Sequence, residues 1–192
     1  MPGWEKRFQD YGVDLEKLLN SFAAELEKEG FKVKLNRKRM SLEATYESDV
    51  DKSWGQIVLS GEPNNFVLRI DWDADLRKLF WVKLALRSLV LVKKMSAARL
   101  TSEKISWSPS EEVTGEVAVD VPPELAELKR RVEVELDGRR SAYLAQADML
   151  EKEGKFGEAA KFYLKAAIIS QELGEKTYAI EFEKKAENLR RK

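Results

Sequence analysis

The C-terminal part of the chain is organised around residues 147–167, which read Ala-Asp-Met-Leu-Glu-Lys-Glu-Gly-Lys-Phe-Gly-Glu-Ala-Ala-Lys-Phe-Tyr-Leu-Lys-Ala-Ala. On both sides of Gly154, apolar and small residues recur at steps of three and four, the spacing that puts them on one face of a helix. They are Tyr143, Leu144, Ala147 and Leu150 before the glycine, and Ala159, Phe162, Tyr163, Ala166, Ala167 and Ile169 after it. The pattern predicts two closely packed helices that meet at a tight turn on Gly154, with rings of one over alanines of the other.

A third helix is predicted after Gly174, which ends the second. Its apolar stripe is formed by Tyr178, Phe182, Ala186 and Leu189, at steps of four, four and three. Residues 139–192 are therefore predicted to form a three-helix bundle.

This bundle resembles two families of helical modules, over about a quarter of the chain. Tetratricopeptide repeats carry a similar pattern of aromatic and small residues at the same spacing. The matching positions are Tyr143, Ala147, Gly154, Phe156, Ala159, Tyr163 and Ala166. Only one repeat is visible, and such repeats need neighbours to bury their faces, so the sequence argues against a solenoid.

The third helix also resembles that of the MIT (microtubule interacting and transport) domain, a module of ATPases and proteases that work with ESCRT membrane-remodelling filaments. That helix usually carries an aromatic residue, then Lys or Arg, Ala, Glu, any residue and Leu. The corresponding residues here are Phe182, Lys185, Ala186, Glu187 and Leu189. Just after Phe182, where the family often has an aliphatic contact, this chain has Glu183.

The resemblance implies a non-enzymatic adaptor that binds a partner helix or tail in a groove beside the third helix. The residues expected to line this groove are Tyr178, Ala179, Glu183 and Glu187. Since Glu183 and Glu187 are one turn apart, they would favour a basic partner segment. In the family this binding serves ESCRT-type membrane remodelling. The alternative is that the apolar residues only hold the bundle together.

Residues 1–121 predict an α+β domain with a four- to six-stranded antiparallel sheet. A helix over residues 14–29 is capped by Asp14 and stopped by Gly30. Alternating apolar residues then predict an antiparallel meander with one face in water. They are Phe31, Val33 and Leu35; Met40, Leu42, Ala44 and Tyr46; Ile57 and Leu59; and Phe66, Leu68, Ile70 and Trp72.

A long helix is predicted from just after Asp75 to about Leu100, apolar around most of its girth. Lys83, Arg87 and Lys94 form a basic stripe on it, interpreted as a solvated edge or, alternatively, a phosphate-binding surface. Short strands around 105–107 and 117–121 would extend the sheet. Residues 122–138 predict a connector helix that starts at the paired prolines, docks on one domain or the other, and ends or kinks at 137–138.

Composition excludes several classes of function. The 192 residues include 34 basic and 34 acidic side chains, so no global field attracts nucleic acid or anionic lipid. Without Cys or His, disulfides, thiolate chemistry, imidazole bases and the usual zinc sites are excluded. No activated nucleophile or glycine-rich phosphate loop occurs. The sequence therefore predicts neither an enzyme nor a cofactor.

Localisation is predicted from the same composition. The start Met-Pro-Gly-Trp lacks the basic segment and apolar run of a secretory signal, and no apolar run reaches the roughly 20 residues of a spanning helix. Charged residues make up 35% of the chain, with a bias to Lys and Glu that is typical of thermophile proteins. We expect a cytoplasmic protein.

Asp71, Asp73 and Asp75 alternate where a strand runs into the long helix. Such carboxylates could hold Mg²⁺ or Ca²⁺, but the glycine and glutamate that a calcium loop needs are missing. The alternative is that Asp73 or Asp75 caps the helix and the others favour its N-terminal dipole.

A basic hairpin offers an alternative function, the binding of single-stranded nucleic acid. Its cations are Lys32, Lys34, Arg37, Lys38 and Arg39, with Trp54 as a nearby aromatic residue. The other interpretation is that these cations only prevent sheet edges from aggregating.

Overall fold

The computed structural model describes residues 3–101 and 120–192 and shows an α+β fold. Its elements are β1 Gly3–Gln9, α1 Leu15–Lys28, β2 Lys32–Asn36, β3 Ser41–Glu47, β4 Lys52–Glu62, β5 Asn65–Ala74, α2 Lys78–Thr101, α3 Pro123–Lys152, α4 Phe156–Glu172 and α5 Lys176–Arg190. A short 3-10 turn, Arg37–Arg39, joins β2 to β3. The predicted α+β class, with an N-terminal antiparallel sheet followed by C-terminal helices, is confirmed. None of the helices in these two ranges combines the length and apolar character needed to cross a membrane.

Five described strands form one antiparallel sheet in the order β1-β5-β4-β3-β2. The meander β2–β5 is confirmed, but the sequence reading missed β1. This strand has only two large apolar residues, Trp4 and Phe8, too few for an alternating pattern. Its place depends on pairing with β5, where Trp4 lies opposite Ile70 and Phe8 opposite Phe66. The strands predicted around 105–107 and 117–121 lie outside the described residues, apart from Asp120 and Val121, which are in neither helix nor strand.

The helices α1 and α2 cover one face of the sheet and leave the other face in water. The start of α1 is capped as predicted, since the backbone N–H of Lys17 donates to Asp14 Oδ1 at 3.0 Å. Its apolar stripe, which includes Leu18, Phe22 and Leu26, is fully buried. The apolar face of the strands, with every second residue, and the apolar stripe of α1, with every third or fourth, therefore meet in one core.

Helix α2 is buried around most of its girth, as predicted. Its basic stripe does not form a solvated edge, because Arg87 is only 6% exposed. Lys83 and Lys94 are half-buried, and Lys83 Nζ donates to the backbone oxygen of Glu172, at the end of α4, at 2.5 Å. The helical spacing was correct, but tertiary contacts bury Arg87 and bring Lys83 to the end of α4, which is distant in the sequence.

Helix α3 runs without a break through Gly138, so of the two alternatives predicted at residues 137–138, a helix end or a kink, the end is wrong. Its first half buries Leu125, Val132 and Leu136 in the same core as the sheet. The predicted connector, which is the first half of α3, therefore docks on the N-terminal sheet domain. A glycine in a helix costs about 1 kcal/mol relative to alanine, and burial of these side chains offsets that cost.

Replacing Gly138 by alanine should stabilise the protein. Nothing lies within 4 Å of the position that a Cβ would occupy there. The variant should therefore raise the free energy of unfolding by about 0.5–1 kcal/mol in urea denaturation. A free energy of unfolding below that of wild type for G138A would show that helix α3 needs the glycine at this point.

The three C-terminal helices form the predicted helical hairpin and third helix. Gly154 and Gly174 adopt φ of +76° and +83° at the ends of α3 and α4. At the first turn the N–H of Lys155 donates to the carbonyl of Leu150 at 2.9 Å, which closes the helix end. Helix α4 packs on both α3 and α5, whereas α3 and α5 make little backbone contact with each other.

Candidate binding sites

An aromatic row leads from the surface of α5 down to α4. Tyr178, which is 53% exposed, stacks on Phe182 with ring centroids 6.3 Å apart. Phe182 in turn stacks on the buried Tyr163 at 6.5 Å. Neighbouring rings hold the exposed Tyr178 ring in place, so it loses little freedom when a ligand covers it.

A polar cluster lies between α3 and α5 at the foot of this row. The Tyr163 hydroxyl donates to Asp148 Oδ1 at 2.5 Å, and Lys185 Nζ lies 3.2 Å from Glu151 Oε2 and 4.4 Å from the Tyr163 ring centroid. Burial, followed by the hydrogen bond to Asp148, raises the pKa of Tyr163. The pKa of Lys185 is raised first by its hydrogen bond with Tyr163. This cluster links α3 to α5 through side chains alone.

The four residues predicted to line a partner groove do not share one side of α5. Ala179 is only 4% exposed and packs inward. Glu183 and Glu187 are exposed on the outer side, where Arg191 Nη2 donates to Glu187 Oε1 at 2.5 Å. Tyr178 lies nine residues before Glu187, which at 100° per residue places it on the opposite side. The structure therefore brings Glu183 and Glu187 together and separates Tyr178 from them.

The basic hairpin is fully exposed, with all five predicted cations at the surface. Its positive charge is interrupted by acidic side chains. Arg37 Nε lies 3.2 Å from Glu16, and Lys34 lies opposite Glu43 on the neighbouring strand. A groove of about 530 Å³ beside it is lined by both Lys34 and Glu43. The outer sheet face thus mixes both signs of charge.

A larger cleft of about 910 Å³ opens where the ends of β3, β4 and β5 meet α2 and α3; we call it the sheet-end cleft. Its lining combines aromatic, aliphatic and charged side chains. It includes Tyr46, Trp54, Trp72, Val82, Leu128 and Val132, together with Lys32, Glu47, Lys52, Asp73, Asp75, Lys78 and Glu135. Sequence reasoning missed this cleft because its walls come from separate segments.

The three aspartates at the end of β5 make different contacts. Asp71 accepts from Arg69 Nε and Asp75 from Arg139 Nη2, both at 2.6 Å. No group of three metal-binding side chains occurs in residues 3–101 and 120–192. Among the described residues, neither Asp73 nor Asp75 caps α2. Just before this helix, Asp51 Oδ1 accepts from the Leu76 N–H at 3.0 Å.

Helix ends also meet at a junction between α2 and α4, which we call the helix-end junction. Glu172 Oε2 accepts from the backbone N–H of Phe80, in the first turn of α2, at 2.6 Å. Lys83 donates to the last carbonyl of α4, so each helix caps the other. Removal of the Glu172 carboxylate from water raises its pKa to about 7, against the opposing effects of Arg77 and Lys83.

A buried ion pair adjoins this junction. Arg77 Nε lies 4.0 Å from Asp51 Oδ2, and its guanidinium is 3.9 Å from the Tyr46 ring centroid. Burial raises the pKa of Asp51, against hydrogen bonding to Leu76 and the charge of Arg77. These groups tie the β3–β4 turn to α2.

A scan against models of known protein families finds no match, and searches of curated proteins and of solved structures find none either. Function is therefore argued from the geometry of these surfaces.

Proposed function

We propose that the protein is a non-enzymatic adaptor that binds a helix or extended tail of a partner protein through α5. The observation that carries this proposal is an exposed large apolar side chain, Ile180, on the outer side of α5. Ile180 is 50% exposed, whereas Tyr178, at 53%, lies about 160° away around the helix. An apolar residue rimmed by polar ones is typical of protein interaction surfaces.

The outer side of α5 defines the chemistry of the partner. At 100° per residue, Ile180, Glu183 and Glu187 fall within about 60° of one another. Glu183 makes no ion pair or hydrogen bond within the described chain, and Lys184 borders the same side. An apolar centre beside two carboxylates suits a partner segment with an apolar residue flanked by basic ones.

The resemblance of this helix to that of the MIT domain supports the same surface. In that family the third helix contributes to the groove that captures a partner segment. We therefore propose a partner of the ESCRT membrane-remodelling type, recognised by the outer side of α5.

Charge reversal on α5 should abolish partner binding. Full-length protein is immobilised, and proteins retained from a lysate of the source organism are quantified by mass spectrometry. The E183K/E187K and I180A variants should each retain the specific partner at least about tenfold less than wild type. The matched control, E158K/E181K, reverses two exposed glutamates away from this side and should retain the partner as wild type does.

Unchanged retention by both α5 variants would disprove the proposal. Retention of nucleic acid instead of protein, lost in a K38E/R39E variant, would assign the binding function to the basic hairpin. Raising the salt concentration separates the two outcomes, because phosphate contacts weaken steeply with salt.

A further inference from the structure

The middle aspartate at the end of β5 differs from its two neighbours. Asp71 and Asp75 each bind an arginine side chain at 2.6 Å. Asp73 lines the sheet-end cleft, and no described residue forms an ion pair or hydrogen bond with its carboxylate. Of the three aspartates, two thus bind an arginine of the chain itself, and the third is open to the cleft.

An indole ring lies beside this open carboxylate. Trp54 is directly opposite Asp73 in the β4–β5 register, which brings their Cβ atoms to about 5 Å. Trp54 is half-buried and lines the same cleft. Tryptophan is the side chain whose ring attracts organic cations most strongly, so Trp54 and Asp73 can hold a cation together.

The helix side of the cleft is apolar. Val82, Leu128 and Val132 supply an apolar wall for the rest of a ligand that carries such a cation.

The other described acidic side chains of the cleft are paired, which leaves Asp73 as its unpaired anion. Lys52 Nζ lies 2.7 Å from Glu47, and Lys78 Nζ lies 2.5 Å from Glu135. Lys32 is separated from Trp54 by Thr45 in the strand register, about 10 Å away across two strand spacings. A cation beside Trp54 is therefore closer to Asp73 than to any unpaired lysine of the cleft.

We propose that the sheet-end cleft is a binding site for an organic cation, a guanidinium or alkylammonium group held between Trp54 and Asp73. The apolar stem of the same ligand lies against the wall formed by Val82, Leu128 and Val132. This site is separate from the α5 surface and does not depend on its function. The cation is either a basic side chain of a peptide or a free small amine.

The test follows the indole N–H resonances of ¹⁵N-labelled full-length protein, with the Trp54 signal assigned from a Trp54→Phe variant. N-acetyl-arginine amide should shift the Trp54 resonance in a saturable manner, with a Kd in the millimolar range, about −4 kcal/mol. The neutral isostere N-acetyl-citrulline amide should give no saturable shift. D73N should weaken binding of the arginine amide about fivefold or more.

The matched control is D71N, which removes a carboxylate from the same strand and face, and should bind the arginine amide as wild type does. Equal shifts with both amides, or an unchanged Kd in D73N, would overturn the proposal. The peptide N-acetyl-Leu-Arg-Leu-amide distinguishes the sources of the cation. Binding about tenfold tighter than the single amino acid amide identifies a peptide ligand, and equal binding identifies a free small cation.

Discussion

Alanine at position 55 should destabilise the protein by about 3 kcal/mol or more, the upper end of the range for overpacked cores. A Cβ on Gly55 would lie 2.2 Å from Cη2 of Trp81 and 2.5 Å from two further ring carbons. The indole cannot move away easily. Its N–H donates to Ser53 Oγ at 2.8 Å, and its ring packs edge-on against Phe31 and Phe80, with centroids 5.5 Å apart in both cases.

Urea denaturation followed by circular dichroism measures this effect, with G138A as a control of the opposite sign. The cause is tested by a double-mutant cycle with Trp81→Leu. In the Trp81→Leu background G55A should lower the free energy of unfolding much less, because the smaller side chain leaves room for the methyl group. A loss below about 0.5 kcal/mol for G55A alone would contradict the packing that places Trp81 over this glycine.

The second large effect is a pH dependence of stability that centres on Glu172. Its pKa is about 7 in the folded protein, against 4.5 as the ordinary value, so the folded state binds the proton more tightly. The resulting stabilisation is fully present below pH 4.5 and is lost as the pH rises through 7. It amounts to at most about 3 kcal/mol.

The groups around Glu172 explain why its pKa is raised and stability falls as the pH rises. Arg77 and Lys83 of α2 favour the ionised form, and Asp51 disfavours it. Burial outweighs the two cations. The pKa of Asp51 is raised too, so its contribution has the same sign as that of Glu172. On the other side of the junction, Arg140 is held by Glu175 and Asp137.

The variant E172Q should lose most of this pH dependence. Its amide oxygen can still accept from the Phe80 N–H, so the helix-end junction is kept without a buried charge. Free energies of unfolding are measured in urea at pH 5, 6, 7 and 8 for wild type, E172Q and the control E175Q. Wild type and E175Q should lose stability over this range, and E172Q should change much less. Equal slopes in wild type and E172Q would show that the carboxylate is not buried at the junction.

Local patterns predicted a large part of the fold. Residues a few positions apart decide the period of a helix, the alternation of a strand and the chemistry of a turn. This is why α1 with its Asp14 cap, the meander β2–β5, and the turns at Gly154 and Gly174 were predicted correctly. The same local reasoning failed at Gly138, where packing of α3 on the sheet core outweighs the low helix propensity of glycine.

The candidate sites were predicted less well, because a site depends on which segments meet. The sequence identified Glu183, Glu187 and the basic hairpin, whose residues are close together in the chain. It also singled out Asp71, Asp73 and Asp75, but it could not distinguish them, since their partners Arg69 and Arg139 lie at very different distances along the chain.

The sequence by itself thus determined the α+β class, the order of the elements from α1 to α2, and the helix stops at Gly30, Gly154 and Gly174, because each follows from neighbouring residues. Only the tertiary structure decided that β1 completes the sheet, that Arg87 is buried, that Glu172 caps α2, and that Asp73 faces Trp54 in a cleft. These features depend on contacts between residues that are far apart in the chain. Their energies arise from burial and charge pairing, which local periodicity does not encode.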